Sequence, residues 1–147
     1  LHEHEIRLHA IGQIDRLPGP VRGVLSRVIN ETAEHSRGTL TLALSYGGRA
    51  EIINAARQTA EAVQNGTLDI SDVQEETFSR FLDTVEMPDP DLIIRTSGEQ
   101  RLSNFLIWQA AYSEFWFASV YWPDFTGKHL QEAITAFQNR KRRFGGV

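Results

Sequence analysis

The sequence predicts an α/β fold, a mainly parallel sheet with helices on both faces. Three observations carry this. Strand-like and helix-like segments alternate along the 147 residues, and that alternation implies right-handed crossovers between parallel strands. One strand candidate, Asp91 to Ile94 (DLII), gives the apolar run of a strand covered on both faces. Finally, no repeat, low-complexity stretch or linker divides the chain, so residues 1–147 read as a single domain.

Ile6 to Ile14 (IRLHAIGQI) has the short apolar alternation of a first strand. Pro18 to Pro20 break it and open a helix from Val21 to about His35. Its stripe is Val21, Val24, Leu25, Val28 and Ile29, and Gly38 ends it. Thr39 to Tyr46 (TLTLALSY) alternates as a second strand. Gly47-Gly48 turn into a helix from about Ala50 to Val63, closed by Asn65-Gly66. Ser71 is placed to cap a helix running through about Leu82, with Glu75 near its first turn. Pro88 and Pro90 lead into a third strand at Leu92 to Thr96. Ser97-Gly98 allow a turn, and Ser103 or Asn104 can cap a helix carrying Phe105, Leu106, Trp108 and Tyr112. Ala118 to Trp122 (ASVYW) reads as a fourth strand, and Thr126 or Gly127 starts a last helix with a basic end, Arg140 to Arg143.

Composition bounds the function. Apolar residues are 41% and charged residues 23%, so the chain is globular. A net charge of -4 argues against a nucleic-acid binder as a whole. With no cysteine there is no disulfide framework and no thiolate metal site, which fits a cytoplasmic protein. The residues present include neither a signal peptide nor an apolar run of about 18 residues, the length of a transmembrane helix.

The chemistry concentrates after the third strand. A strand end feeding a helix N-terminus makes an anion cradle, because free N–H groups and the helix dipole point at the ligand. Arg95 and Arg101 flank that cradle with bidentate donors suited to phosphate oxygens. In open α/β sheets ligands gather at the carboxyl ends of the strands, where both arginines fall. The bland alternative makes them surface arginines paired with Glu99. Gly47-Gly48-Arg49 reads better as a tight strand-to-helix turn than as an anion site. His2, His4 and His9 read as solvent-exposed histidines rather than a metal cluster, and Trp108, Tyr112, Phe115, Trp116 and Phe117 as core and subunit interface.

Two blocks then identify a resemblance. PDPDLIIRTSGEQRLSNFLIWQAAYSE, from Pro88 to Glu114, with Trp122-Pro123-Asp124-Phe125 downstream, resembles the C-terminal signature of the cis-prenyltransferases, the undecaprenyl diphosphate synthase family. SYGGRAEI, Ser45 to Ile52, is similar to the family's NYGGRxEI block, with Ser45 in place of the usual asparagine. The likeness extends from about Ile6 to Gly146.

The resemblance implies a transferase that condenses isopentenyl diphosphate with an allylic prenyl diphosphate such as farnesyl diphosphate, in cis geometry. Its bacterial product would be undecaprenyl diphosphate, for the lipid carrier of cell-wall synthesis. Arg95, Arg101, Leu102 and Ser103 would hold the isopentenyl diphosphate, the last two through backbone N–H groups and Ser103 also through its side chain. Glu99 would orient an arginine. Gln100 stands where many members carry histidine, so that position is not expected to carry a proton. Arg143 and Gly145 match an RxG tail motif that reaches the same substrate, and Glu114 matches the glutamate the family implicates in Mg2+ binding. On a continuous helix Ser103 and Glu114 would lie about 16 Å apart along the axis, too far to grip one diphosphate. The family also implies a homodimer and a peripheral membrane contact at the inner face of the plasma membrane through the lipid product.

No DGNGRWA-like block occurs in the chain, so the family's catalytic aspartate is expected before Leu1, and no catalytic residue is assigned here. The chain reads as the C-terminal portion of a cis-prenyltransferase domain, lacking the N-terminal part of the sheet and inactive alone. A non-catalytic partner subunit or scaffold is the alternative, against which the intact RTSGEQRLS argues. A nucleic-acid-binding protein using the basic tail is disfavoured by charge.

Overall fold

The computed structural model describes residues 1–140. It contains the predicted parallel α/β elements, arranged as two compact units that divide after Pro88. Among the described residues no helix is long and apolar enough to cross a membrane.

In the first unit, β1 (Ile6–Ile11) runs parallel to β2 (Gly38–Ala43), in register from Ile6 opposite Gly38 to Ile11 opposite Ala43. The crossover between them is α1 (Gly19–Glu31), which starts on Pro20 in its first turn and buries Leu25. Leu8 and Ile11, on opposite faces of β1, are buried, at 7% and 5% exposed. Each such leucine or isoleucine contributes about 2 kcal/mol by leaving water. The α1 end is tied to β1 through Thr32, which is fully buried. Its hydroxyl donates to the Val28 carbonyl at 2.8 Å and accepts from the Leu8 N–H at 3.0 Å. A few residues on, His35 Nδ1 donates to the Ile6 carbonyl at 3.1 Å.

After β2 the chain turns through Ser45 and Gly47 into α2 (Gly48–Gln64). Ala55 and Thr59 lie on its buried face. The helix predicted from Ser71 to Leu82 is replaced by two short pieces. Asp69 caps a single 3-10 turn, Ile70–Asp72, by accepting from the Ser71 N–H at 2.8 Å. The chain then leaves helical geometry at Val73 and Gln74, and α3 (Glu75–Ser79) starts on a reciprocal Gln74–Thr77 capping box. Ser71 therefore sits inside the 3-10 turn, and turns through Met87 follow α3.

In the second unit, β3 (Leu92–Arg95) pairs parallel with β4 (Glu114–Phe117), Leu92 opposite Glu114 and Arg95 opposite Phe117. The fourth strand thus lies at Glu114–Phe117 and not at Ala118–Trp122 as predicted. The Glu114 N–H donating to the Asp91 carbonyl at 2.9 Å sets the earlier register. The helix predicted after Ser103 is a second correction. Ser103, Asn104 and Leu106 have φ of 49°, 67° and 45°, left-handed values that no right-handed helix accepts. The segment closes instead as linked turns, such as Ala110 N–H to Leu106 carbonyl at 2.8 Å. The last helix, α4 (Gly127–Gln138), begins at the predicted place with a Thr126–His129 capping box.

Candidate functional site

Arg95 closes β3, at the carboxyl end of the parallel pair. The chain that follows is fastened to the chain leaving β4. Ala118 N–H donates to the Arg95 carbonyl at 2.7 Å, Ser97 N–H to Val120 at 2.8 Å and Gly98 N–H to Ala118 at 2.8 Å. Ser97 and Gly98 take φ of 67° and 68°, which reverses the chain within two residues. Their N–H groups are consumed by these bonds and cannot serve an anion. The Leu102 and Ser103 amides donate to no carbonyl among the described residues, which leaves them as the turn's candidate anion donors.

This turn brings the predicted site residues together. Arg95 Nη2 donates to Ser103 Oγ at 3.4 Å. Arg101 Nη1 is ion-paired with Glu99 Oε2, a contact that both the site reading and the bland surface reading expect. Arg95, Arg101 and Leu102 line a cavity of about 210 Å³ whose remaining wall is apolar, from Ile93, Phe105, Phe115 and Phe117. The Phe115 and Phe117 rings stack 6.0 Å apart along that wall. The cavity combines two guanidinium groups with a small hydrocarbon surface, so it suits an anionic head group with a short apolar body. The helix N-terminus expected here is absent, so an anion at this turn would meet side chains and turn amides alone.

The other candidates disperse. Glu114 opens β4, at the end of the strand pair opposite Arg95, and its Oε2 accepts from Arg140 Nη1 at 2.6 Å. The parallel register separates Glu114 from the Arg95 level by about 10 Å along the strands. Among the described residues no group of three His, Asp or Glu side chains gathers to hold a metal. Mg2+ binds oxygen at about 2.1 Å, and the Glu114 carboxylate is here occupied by Arg140. His2 pairs with Glu31 at 3.9 Å and packs edge-on to His35, and His2 and His4 are exposed, whereas His9 is half-buried with its Nδ1 shielded, not solvent-exposed as expected. Tyr112 is exposed, while Trp108 and Trp116 are half-buried. Arg143 and Gly145 lie outside the described residues.

Sequence reasoning missed a second cavity, of about 400 Å³, in the first unit at the carboxyl ends of β1 and β2. Buried Glu51 anchors it, accepting from the Tyr46 hydroxyl at 2.5 Å and the Asp83 N–H at 3.0 Å, while Asp83 Oδ2 accepts from Gly12 N–H at 3.1 Å. Gly47-Gly48 form the tight strand-to-helix turn as read, and that turn is one wall of this cavity. The available signal was the glycine directly after the first apolar run.

With this geometry in hand, comparison with known proteins is informative. The Prenyltransf model, that of undecaprenyl diphosphate synthase, matches residues 1–145. An isoprenyl transferase from Bacillus anthracis is 50% identical over 147 residues, covering 100% of this chain and 57% of its own length. One from Clostridium perfringens is 48% identical over the same span, 58% of its length. The chain therefore spans somewhat over half of these relatives. Among solved structures, lavandulyl diphosphate synthase from Lavandula x intermedia, in complex with dimethylallyl diphosphate, superposes with a TM-score of 0.95 at 38% identity, over 98% of this chain and 62% of that one. A structure described as a probable undecaprenyl diphosphate synthase from Campylobacter jejuni gives 0.84 at 36% identity, over 99% and 66%.

Proposed function

Since the chain belongs to the undecaprenyl diphosphate synthase family by the match over residues 1–145, we propose that it is part of an isoprenyl transferase and supplies its isopentenyl diphosphate site. The observation that carries this is the cavity after β3, where Arg95 and Arg101 face an apolar wall that includes Phe115 and Phe117. In this reading the guanidinium groups, with Ser103 Oγ and the turn amides of Leu102 and Ser103, neutralise the diphosphate. The phenylalanine surface receives the five-carbon body. That grip leaves the isopentenyl double bond free to attack the first carbon of an allylic diphosphate as its diphosphate departs. A proton is then lost from the isopentenyl unit, and cis geometry follows from how the two substrates are held. Positioning and charge neutralisation account for the rate, and both are properties of fixed donors in a site partly closed to water.

The same proposal includes an allylic starter such as farnesyl diphosphate, a long-chain polyprenyl product serving cell-wall lipid carrier synthesis, a homodimer, a cytoplasmic location and membrane contact through the product. Magnesium enters as a counter-ion of the diphosphates, and no step is assigned to it at Glu114. The test is calorimetric titration of the chain with isopentenyl diphosphate, beside an Arg95→Ala/Arg101→Ala variant of equal helix content. Binding that disappears in the variant supports the reading. Equal binding by both, or none by the folded parent chain, refutes this chain as the holder of the isopentenyl site and favours the scaffold-subunit alternative.

A further inference from the structure

The cavity after β3 has a floor as well as a wall. Side chains alternate between the two faces of a strand, and residues paired across two strands stand side by side on one face. The register sets Ile93 beside Phe115 and Arg95 beside Phe117, so these four share one face in two rows. The rows lie two residues apart, about 6.6 Å along the strands, and the Phe115 and Phe117 rings stack across that step at 6.0 Å. The outer row is at the carboxyl end, where Arg95 meets Ser103 and Phe117 is 39% exposed. The inner row is deeper, with Ile93 8% exposed and Phe115 half-buried. Leu102 and Phe105 complete the lining from the turn, and no residue behind the inner row on either strand lines the cavity. The space of about 210 Å³ therefore runs inward from a guanidinium row and stops against an apolar one.

We propose that Ile93 and Phe115 are the size-determining residues of this cavity, a floor that stops the apolar body of a bound diphosphate at about five carbons. The inference rests on the function proposed above and adds the selection that the isopentenyl site exercises. A diphosphate held at the Arg95 row leaves about 6.6 Å of depth for its hydrocarbon. With carbon–carbon bonds of about 1.5 Å, the branched isopentenyl body fills that depth. A geranyl body needs about twice as much and meets Ile93, whose close-packed surroundings give it no room to retreat. A diphosphate with almost no hydrocarbon leaves the phenylalanine faces wet and forgoes the gain from covering them. Selection thus works from both sides, by rejecting the long body and rewarding the short one. An enzyme that handles two diphosphates gains from this, because the longer substrate is kept out of the isopentenyl position.

Calorimetric titration of the chain with methyl, isopentenyl and geranyl diphosphate, which carry bodies of increasing length on one head group, tests the floor. The parent should bind isopentenyl diphosphate about 10- to 100-fold more tightly than methyl diphosphate, and geranyl diphosphate no more tightly than methyl diphosphate. Phe115→Ala lowers the floor and should reverse the order, with geranyl diphosphate at least about 3-fold tighter than isopentenyl diphosphate. Phe117→Ala, in the outer row, should weaken isopentenyl diphosphate without admitting the geranyl body. A merely structural role for Phe115 would weaken all three ligands together and keep their order. An unchanged order in a folded Phe115→Ala chain therefore overturns the proposal. If that variant does not fold, the parent's own ranking decides, and geranyl diphosphate bound as tightly as isopentenyl diphosphate overturns it. Equal affinity of the parent for methyl and isopentenyl diphosphate also overturns the floor but leaves the arginine site standing. Failure of the folded parent to bind any of the three refutes the isopentenyl-site reading itself, and this inference falls with it.

Discussion

Replacing Gly12 by alanine should be among the most destabilising single changes in the first unit. Gly12 holds φ +100°, where an L side chain is strained, and a Cβ there would sit 2.3 Å from the Leu44 carbonyl oxygen and 2.9 Å from Tyr46 Cβ. Ordinary contact begins near 3.4 Å, so the backbone end of β2 would have to retreat by roughly 1 Å. That movement strains the Leu44 N–H to Ile11 carbonyl bond at 2.9 Å and the Gly12 N–H to Asp83 carboxylate bond at 3.1 Å. Left-handed strain costs about 1–3 kcal/mol, and loss of a bond to a charged group about 1.5–3 kcal/mol. A loss of at least about 3 kcal/mol is expected, against a total stability of about 5–15 kcal/mol for a domain. Urea unfolding followed by circular dichroism reads this as a midpoint lowered by about 1–2 M. The control is Gly23→Ala within α1, where an added Cβ meets nothing within 4 Å. It should stabilise by up to about 1 kcal/mol through helix propensity. If Gly12→Ala stays within about 1 kcal/mol of the parent, the close approach of the β1 and β2 ends is wrong.

Three further outcomes are expected. Thr32→Val keeps the volume of a fully buried side chain but strands the Leu8 N–H, so it should cost about 1–3 kcal/mol in the same unfolding assay; a neutral result would mean that water reaches that amide. Arg95→Lys should weaken isopentenyl diphosphate binding by about tenfold, since an ammonium loses the bidentate fork, and unchanged affinity would remove Arg95 from the site. The Ser71 hydroxyl and N–H hold the Asp69 carboxyl below the ordinary aspartate value. Its contribution to the 3-10 turn is therefore complete above that ordinary value and is lost as pH falls through the lowered one. An NMR titration in which Asp69 matches an unstructured peptide would contradict the cap.

The strands at Ile6 and Leu92 and the helices α2 and α4 were legible because period, glycine punctuation and caps agree there. The turn after Ser103 was not, since Phe105, Leu106, Trp108 and Tyr112 carry helical spacing while the backbone at Ser103, Asn104 and Leu106 refuses it. The β4 position was ambiguous for a related reason. Glu114–Phe117 and Ala118–Trp122 are both rich in strand formers, and only pairing with β3 chooses between them. For the site, Arg95, Arg101 and Leu102 could be read from one continuous stretch of chain. The cavity around Glu51 could not, because Gly12 and Asp83 meet there across a separation of 71 residues. Contacts of that range depend on tertiary packing, and the glycine after the first apolar run was the single local sign of them.

The bonds on β1 also determine how that sheet can grow. The Glu5 and Ile11 carbonyls face β2 and its flanks, accepting from Arg37 and Leu44. Ile6 carbonyl, Leu8 N–H and Gly12 N–H face the other way, and His35, Thr32 and Asp83 side chains occupy them. A foreign strand adding to β1 would have to displace three side-chain bonds before gaining its own ladder. That side of the pair is therefore a terminus, protected against edge-to-edge aggregation without a proline, a bulge or an outward charge. Any strand that extends this sheet must enter beside β2, which makes the pair a template with a single growing side.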